Sequence, residues 1–259
     1  MGEYSLTLVG ERSLTSLFPL NPRGRRGRST CSFRFSARSA AQLVPGGTMK
    51  LTVLGASGGV GRQLVTHALA DGHQVTAALR SPEKLTEHHE RLTVVRTDPL
   101  DPASVKAVVD GADAVLSGMG QAGRHDPLRP ASTSARAVVE AMTATGVRRL
   151  LVVSAGPLNR TGAGQPFLSH RVFGPLLWAA LKEVYTDLTR MEAVLRDSGL
   201  DWTAVRPPRL LDRPGEGRYR HAVEAGPAGS VIARADVARA MLDFVTDPRT
   251  YGHAVGVSR

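Results

Sequence analysis

The sequence predicts an α/β fold: a Rossmann-like, doubly wound parallel sheet with a small C-terminal region on the substrate side. Three observations predict it. From Lys50 onward, short β-branched runs alternate with amphipathic stretches, the pattern of βαβ units. A glycine-rich turn, Gly55–Gly61 (GASGGVG), follows the first apolar run and opens the first amphipathic one. No repeat or linker interrupts Met49 to Arg259, so residues 49–259 read as one dinucleotide-binding domain.

Each element follows from its own pattern. Strands are expected at Leu51–Leu54, Gln74–Ala78, Leu92–Val95, Ala114–Leu116, Leu150–Val153 and Trp202–Val205. The first helix runs from about Val60 to Ala70, with Val60, Leu64, Val65 and Ala68 on one face. Asp101 and Pro102 have the chemistry of an N-cap and a first-turn proline, opening a helix that turns Val105, Val108 and Val109 inward. Ser132 to Thr145 carries the same period through Ala135, Val138, Val139 and Met142, and Gly146 ends it. The longest helix spans roughly Leu176 to Ser198, with Leu177, Leu181, Val184, Leu188, Met191 and Leu195 in phase and Gly199 as its stop. A last helix covers about Asp236 to Thr246, presenting Val237, Met241, Phe244 and Val245.

Composition narrows the function classes. The chain has 259 residues and a formal net charge of +10, from 33 basic and 23 acidic side chains. Seven arginines against two glutamates lie before position 49, so half of the excess belongs to residues 1–48. That stretch, with Asn21 to Arg28 built of Arg, Gly and Pro, has no helical or strand period and reads as a disordered basic extension. A transit peptide and a basic nucleic-acid arm are the competing readings, and the favoured one makes Met49 the natural start. No nucleic-acid partner is expected for the body. Cys31 is the one cysteine, which excludes internal disulfides, thiolate metal sites and a cysteine nucleophile in the body. A reducing, cytoplasmic setting fits. The histidines show no ligand spacing, so no metal site is expected. Val172 to Leu181, the longest apolar run, contains a Gly-Pro pair and falls short of the ~18 residues a membrane span needs.

The glycine-rich turn carries the strongest chemistry. Its GxxGxxG spacing lets Gly55 make the tight turn, Gly58 admit a pyrophosphate and Gly61 bring helix and strand together. The helix N-terminus then offers free N–H groups and a partial positive charge to the phosphates, and Ser57 adds a hydroxyl. At the end of the second strand, where an acid would select NAD, the chain has Ala78-Leu79-Arg80-Ser81. Arg80 can fork onto a ribose 2′-phosphate, with Lys84 as a second charge. NADP(H) is the expected cofactor.

These residues carry a resemblance. GASGGVGRQLV, ALRSPEKL, VVRTDPLDP, VVSAGP and LRDSGLDWTAVRPPRL, in that order, resemble the atypical short-chain dehydrogenase/reductase group with NmrA-like NAD(P)-binding domains, in particular its biliverdin-IXβ reductase/flavin reductase branch. The resemblance spans Met49 to Arg259. It implies pyrophosphate contacts at Ser57, Gly58, Gly59 and Val60, and 2′-phosphate contacts at Arg80 and Lys84. Asp98 and Leu100 would flank the adenine, and Gly118, Met119 and Gly120 would lie along the ribose and phosphates. Ser154 would sit beside the nicotinamide as the catalytic hydroxyl, and Pro208, Arg209 and Leu210 would close over the nicotinamide amide. Asp98 as a turn cap, Leu210 as core and Ser154 as a strand-end turn residue are the plainer alternatives.

The familiar Tyr-Lys proton relay is missing. Tyr185 has Thr189 four residues on, and Lys182 precedes it. A helix histidine of the biliverdin reductase relative aligns with Leu188. Reduction of a flavin, quinone or tetrapyrrole-like acceptor needs hydride and solvent protons only, which agrees with that absence. Arg160, Gln165, Phe167, His170, Arg171 and Phe173 are expected to line the substrate cleft and to suit an anionic acceptor. A non-catalytic NADP(H)-sensing regulator is the alternative. A monomer is expected, since no apolar helix face stands exposed.

Overall fold

The computed structural model describes residues 35–37, 47–120, 127–159 and 178–259. Its elements are β1 (Phe35–Ala37), β2 (Lys50–Leu54), α1 (Gly59–Ala70), β3 (Gln74–Leu79), β4 (Leu92–Arg96), α2 (Pro102–Val109), β5 (Ala114–Ser117), α3 (Pro130–Thr145) and β6 (Arg149–Val153). They continue as α4 (Lys182–Arg196), β7 (Asp201–Arg206), β8 (Arg209–Leu211), β9 (Arg218–Val223), β10 (Val231–Ala233), α5 (Arg234–Phe244) and β11 (His253–Ser258). The main sheet has the order β1-β9-β11-β7-β6-β5-β2-β3-β4. From β4 to β11 every neighbouring pair is parallel, while β9 runs antiparallel to both β11 and β1. This is the Rossmann-like doubly wound arrangement that the alternating pattern predicts.

Strands β2, β3, β5, β6 and β7 are buried on both faces, which is why they read as near-continuous apolar runs. Leu51, Val53, Val75, Ala77, Ala114, Leu116, Leu151 and Val205 point to one core, shared with α1 and α5. The alternate residues Leu54, Ala78, Val115, Leu150, Val152 and Ala204 join the opposite core with α2, α3 and α4. Because β2 leads outward to β3 and β4 before the chain returns to β5, the order reverses between β2 and β5. That crevice is where open α/β sheets bind ligands.

Helices α1, α3 and α5 start slightly earlier than their patterns suggest. Asp101 caps α2 as expected, accepting from the Ala103 and Ser104 N–H groups at 3.2 and 3.0 Å. For α3 the cap comes from far away in sequence. Asp187 of α4 accepts from the Ala131 and Ser132 N–H groups and from the Ser132 hydroxyl, at 3.0, 3.2 and 2.5 Å. Of the long helix expected over residues 176–198, positions 176 and 177 lie outside the described residues, and Leu181 departs from helical geometry before α4 begins.

Strands β1 and β8–β11 had no sequence expectation. The short parallel pair β8–β10 stands at the carboxyl end of β7 as the small C-terminal region. Beneath the sheet's opposite end, Arg149 is buried and holds five acceptors. They are the carbonyls of Phe244, Val245 and Asp201 at 2.5, 2.9 and 2.7 Å, and the hydroxyls of Thr203 and Thr250 at 2.9 and 3.2 Å. Its guanidinium also lies 4.2 Å from the centre of the Tyr251 ring. Burial brings its pKa down to about 10. Among the described residues no helix is long and apolar enough to cross a membrane.

Candidate cofactor and hydride-transfer site

The glycine-rich turn adopts the geometry its spacing demands. Gly55 has φ +71°, a left-handed conformation that few other residues tolerate. The Gly58 N–H bonds the Gly55 carbonyl at 2.9 Å, closing the turn. A Cβ on Gly58 would lie 3.2 Å from the Gly55 carbonyl oxygen and 3.8 Å from that of Gly118, so its missing side chain serves the closeness of the turn, and its N–H is already used. Gly61 packs onto the backbone of Gly55 and Ala56, so closely that a Cβ there would overlap the Gly55 carbonyl oxygen. Gly118, at the end of β5, interlocks with the same spot: a Cβ on it would lie 3.1 Å from the Gly61 nitrogen. The Met119 sulfur closes over Gly55, and Gly120 has open space around it. Val60 sends its side chain into the core, leaving its backbone for a ligand.

The α1 N-terminus has no side-chain cap and no acid in its first turn. Its opening N–H groups thus lack an intrahelical acceptor and favour an anion. Ser57 stands at the mouth of this turn, with its carbonyl accepting from Arg62 Nε at 3.1 Å. The other guanidinium arm of Arg62 donates to the Lys84 carbonyl at 2.7 Å. Arg62 thereby ties the phosphate turn to the segment after β3. Arg96 donates to the Arg80 carbonyl at 3.2 Å from the other side. Arg80 and Lys84 are both exposed, and Arg80 makes no side-chain hydrogen bond or ion pair among the described residues. Arg62, Arg80, Lys84 and Arg96 thus lie on the segments around the end of β3, with Glu83 among them 3.9 Å from Arg96. Sequence spacing pointed to two of them.

Asp98 closes the turn beyond β4, accepting from the Leu100 N–H at 3.0 Å, while its own N–H bonds Ser104 Oγ at 2.9 Å. This is the cap geometry of the plainer reading, and it fixes the position of Leu100. Pro208 follows β7, and Arg209 and Leu210 lie in β8, with Arg209 exposed and Leu210 packed against the α1-side core.

Ser154, at the carboxyl end of β6, is buried and donates to Glu192 Oε1 at 2.7 Å. Glu192, from α4 and 1% exposed, also receives Arg206 at 2.9 and 2.5 Å and Arg196 at 3.0 Å. The Arg206 pKa is raised: burial opposes its charge, and the hydrogen bonds and charge of Glu192 more than reverse that. Both oxygens of Glu192 accept from guanidinium N–H groups, so the Ser154 hydroxyl is the donor in their contact and its lone pairs are what remain for a ligand. Ser154 can accept; it is badly placed to act as an acid. Tyr185 is buried 5.4 Å from the Trp178 ring, and burial raises its pKa. It is a packing residue.

Sequence reasoning missed Glu192, although a signal was there: position 192 is in helical phase with the apolar Leu188 and Leu195. The expected cleft residues Arg160, Gln165, Phe167, His170, Arg171 and Phe173 lie outside the described residues. No cluster of metal-binding side chains occurs among the described residues.

The comparisons with known proteins bear on this crevice. A family model described as NAD(P)H-binding matches residues 55–248. The chain belongs to that NAD(P)H-binding family. A (4-alkanoyl-5-oxo-2,5-dihydrofuran-3-yl)methyl phosphate reductase of Streptomyces griseus is 30% identical over 216 residues, covering 80% of this chain and 67% of the relative. An uncharacterized sugar epimerase of Bacillus subtilis is 28% identical, covering 80% and 92%. Against uncharacterized mycobacterial relatives at 27% identity the chain spans about a fifth of their length, 21%. Among solved structures, a short-chain dehydrogenase/reductase of Veillonella parvula in complex with NADP superposes with a TM-score of 0.66 at 22% identity, over 82% of this chain and 94% of that one. A candidate NADH-flavin reductase of Streptococcus pneumoniae gives 0.66 at 24% identity, over 82% and 99%. At those identities the structures establish the shared fold. The family supplies the cofactor class: this is an NAD(P)H-binding protein with a Rossmann-like fold.

Proposed function

We propose that the protein is an NADPH-dependent reductase passing hydride to a flavin, quinone or tetrapyrrole-like acceptor that solvent protonates. The observation that carries this reading is the hydrogen bond between the Ser154 hydroxyl and Glu192. With that hydrogen committed to Glu192 and Tyr185 packed away without a lysine partner, the described part of the site lacks a proton donor for carbonyl reduction. The bound nicotinamide supplies the hydride. The chain's part is to position the two rings, while the lone pairs of Ser154 orient an N–H of cofactor or acceptor. NADPH is favoured over NADH by Arg80, Lys84, Arg62 and Arg96 and by the lack of an acid at the end of β3. The names of the Streptomyces and Streptococcus proteins agree with a reductase.

The test is NADPH oxidation by the full chain with FMN, a quinone or dichlorophenolindophenol, followed by cofactor absorbance. Acceptor-dependent oxidation whose KM for NADPH rises about tenfold in Arg80→Ala, with NADH turnover unchanged, is the expected result. The same absence of a proton donor also supports a second reading, an NADP(H) sensor. Tight NADPH binding with no oxidation by any of these acceptors would decide for it.

A further inference from the structure

Gly59 opens α1 at the place where a dinucleotide's diphosphate meets a Rossmann-like sheet. Its missing side chain is replaced by an arginine from the far end of the chain. A Cβ on Gly59 would come within 2.5 Å of Arg234 Cδ and 2.6 Å of Arg234 Nε. The stem of Arg234 therefore lies directly on the first turn of α1, along one wall of an open cleft of about 660 Å³ that Gln63 and Arg213 also line.

The electrostatics of this position need an anion. Arg234 is the first residue of α5, so its cation stands at the positive end of its own helix as well as against that of α1. A cation at a helix N-terminus is disfavoured. Asp236, the acid in the first turn of α5, is taken: it is buried and accepts the N–H groups of Glu216 and Gly217 at 3.2 and 2.9 Å. Glu216 in turn pairs with Arg213, Arg218 and Arg259. What remains for Arg234 is Asp212, whose side chain is 83% exposed. A pair so open to solvent adds little stability and is readily exchanged.

We infer that Arg234 is a ligand of the cofactor's diphosphate and that Asp212 is the counter-ion it releases when the cofactor binds. The inference rests on the NAD(P)H-binding reading of the glycine-rich turn. It assigns Arg234 to the part of the cofactor that NADH and NADPH share, whereas Arg80 and Lys84 serve the part that differs. It also gives Gly59 a reason distinct from that of Gly61: one makes room for a side chain, the other for backbone.

Calorimetric titration of the full chain with NADPH and with NADH tests this. Arg234→Met keeps the apolar stem on Gly59 and removes the charge, and it is expected to weaken both cofactors about tenfold. Asp212→Asn, which frees Arg234 from its competitor, is expected to tighten both about two- to threefold. Opposite signs for the two variants are the signature, since a merely structural ion pair would weaken binding from either side. Unchanged affinity in Arg234→Met, or weaker binding in both variants, would overturn the assignment. Loss confined to NADPH would move Arg234 to the 2′-phosphate and overturn it as well. Failure of the unaltered chain to bind either cofactor would overturn the underlying reading instead, and the two failures are distinct.

Discussion

Removing Glu192 should be the most damaging single change near the site, and its cost follows from the contacts. Glu192→Ala leaves Arg206, whose side chain is 10% exposed, as a charge without its partner beneath the sheet's carboxyl edge. Breaking a buried pair from one side typically costs about 3–5 kcal/mol, because the remaining charge stays desolvated. Arg196 adds little, since half its side chain is in water. For a domain of this size each kcal/mol shifts Tm by about 2–4 °C, so a fall of roughly 6–20 °C is expected. Differential scanning calorimetry on Glu192→Ala, Arg206→Leu and the double variant Glu192→Leu/Arg206→Leu reads this directly. The double variant should recover most of the loss, since neither charge is then left alone. A fall below about 1 kcal/mol in Glu192→Ala, or a double variant no better than the singles, would refute the view that this pair is held together by mutual need.

Two further outcomes follow from geometry. Gly61→Ala forces a methyl group into the backbone of Gly55 and Ala56 and should cost about 1–2 kcal/mol after the gain in helix propensity, while Gly59→Ala meets only the movable stem of Arg234 and should leave Tm within a degree or two while weakening NAD(P)H; thermal melts with and without cofactor separate them. His67, His73 and His221 are all held below the ordinary histidine pKa, in each case first by burial. The unfolded chain therefore takes up these protons before the folded one, so stability is full above about pH 6.5 and falls as pH drops below it. Urea melts from about pH 7.5 to 5 should show that decline, and His221→Phe should make it shallower.

Legibility in the sequence tracked the range of the cause. The turn at Gly55–Gly61, the Asp101 cap and the six parallel strands β2–β7 could be read because their determinants lie within a few residues of one another. The cap on α3 could not, since it comes from Asp187, 55 positions away. Strand β9 carries Arg218 and Arg220 and becomes a strand through its pairing with β11 and β1. Ser154 was located at a strand end, yet its chemical sense depended on Glu192, 38 positions later. The same limit hid Arg62 and Arg234, two unremarkable arginines among many until the fold sets them against Lys84 and Gly59.

The clasp made by Arg149 sets an order of events during synthesis. Its partners lie between 52 and 101 positions further along the chain. While residues 244–250 are still being made, strand β6 can join β5, but Arg149 has only its Asp201 and Thr203 acceptors and lacks those of Phe244, Val245 and Thr250. The half of the sheet that carries the phosphate turn is thus complete in sequence well before the half that fastens beneath it. Until β11 arrives, the open edge on that side of the parallel sheet is β7, already paired to β6 on its other side.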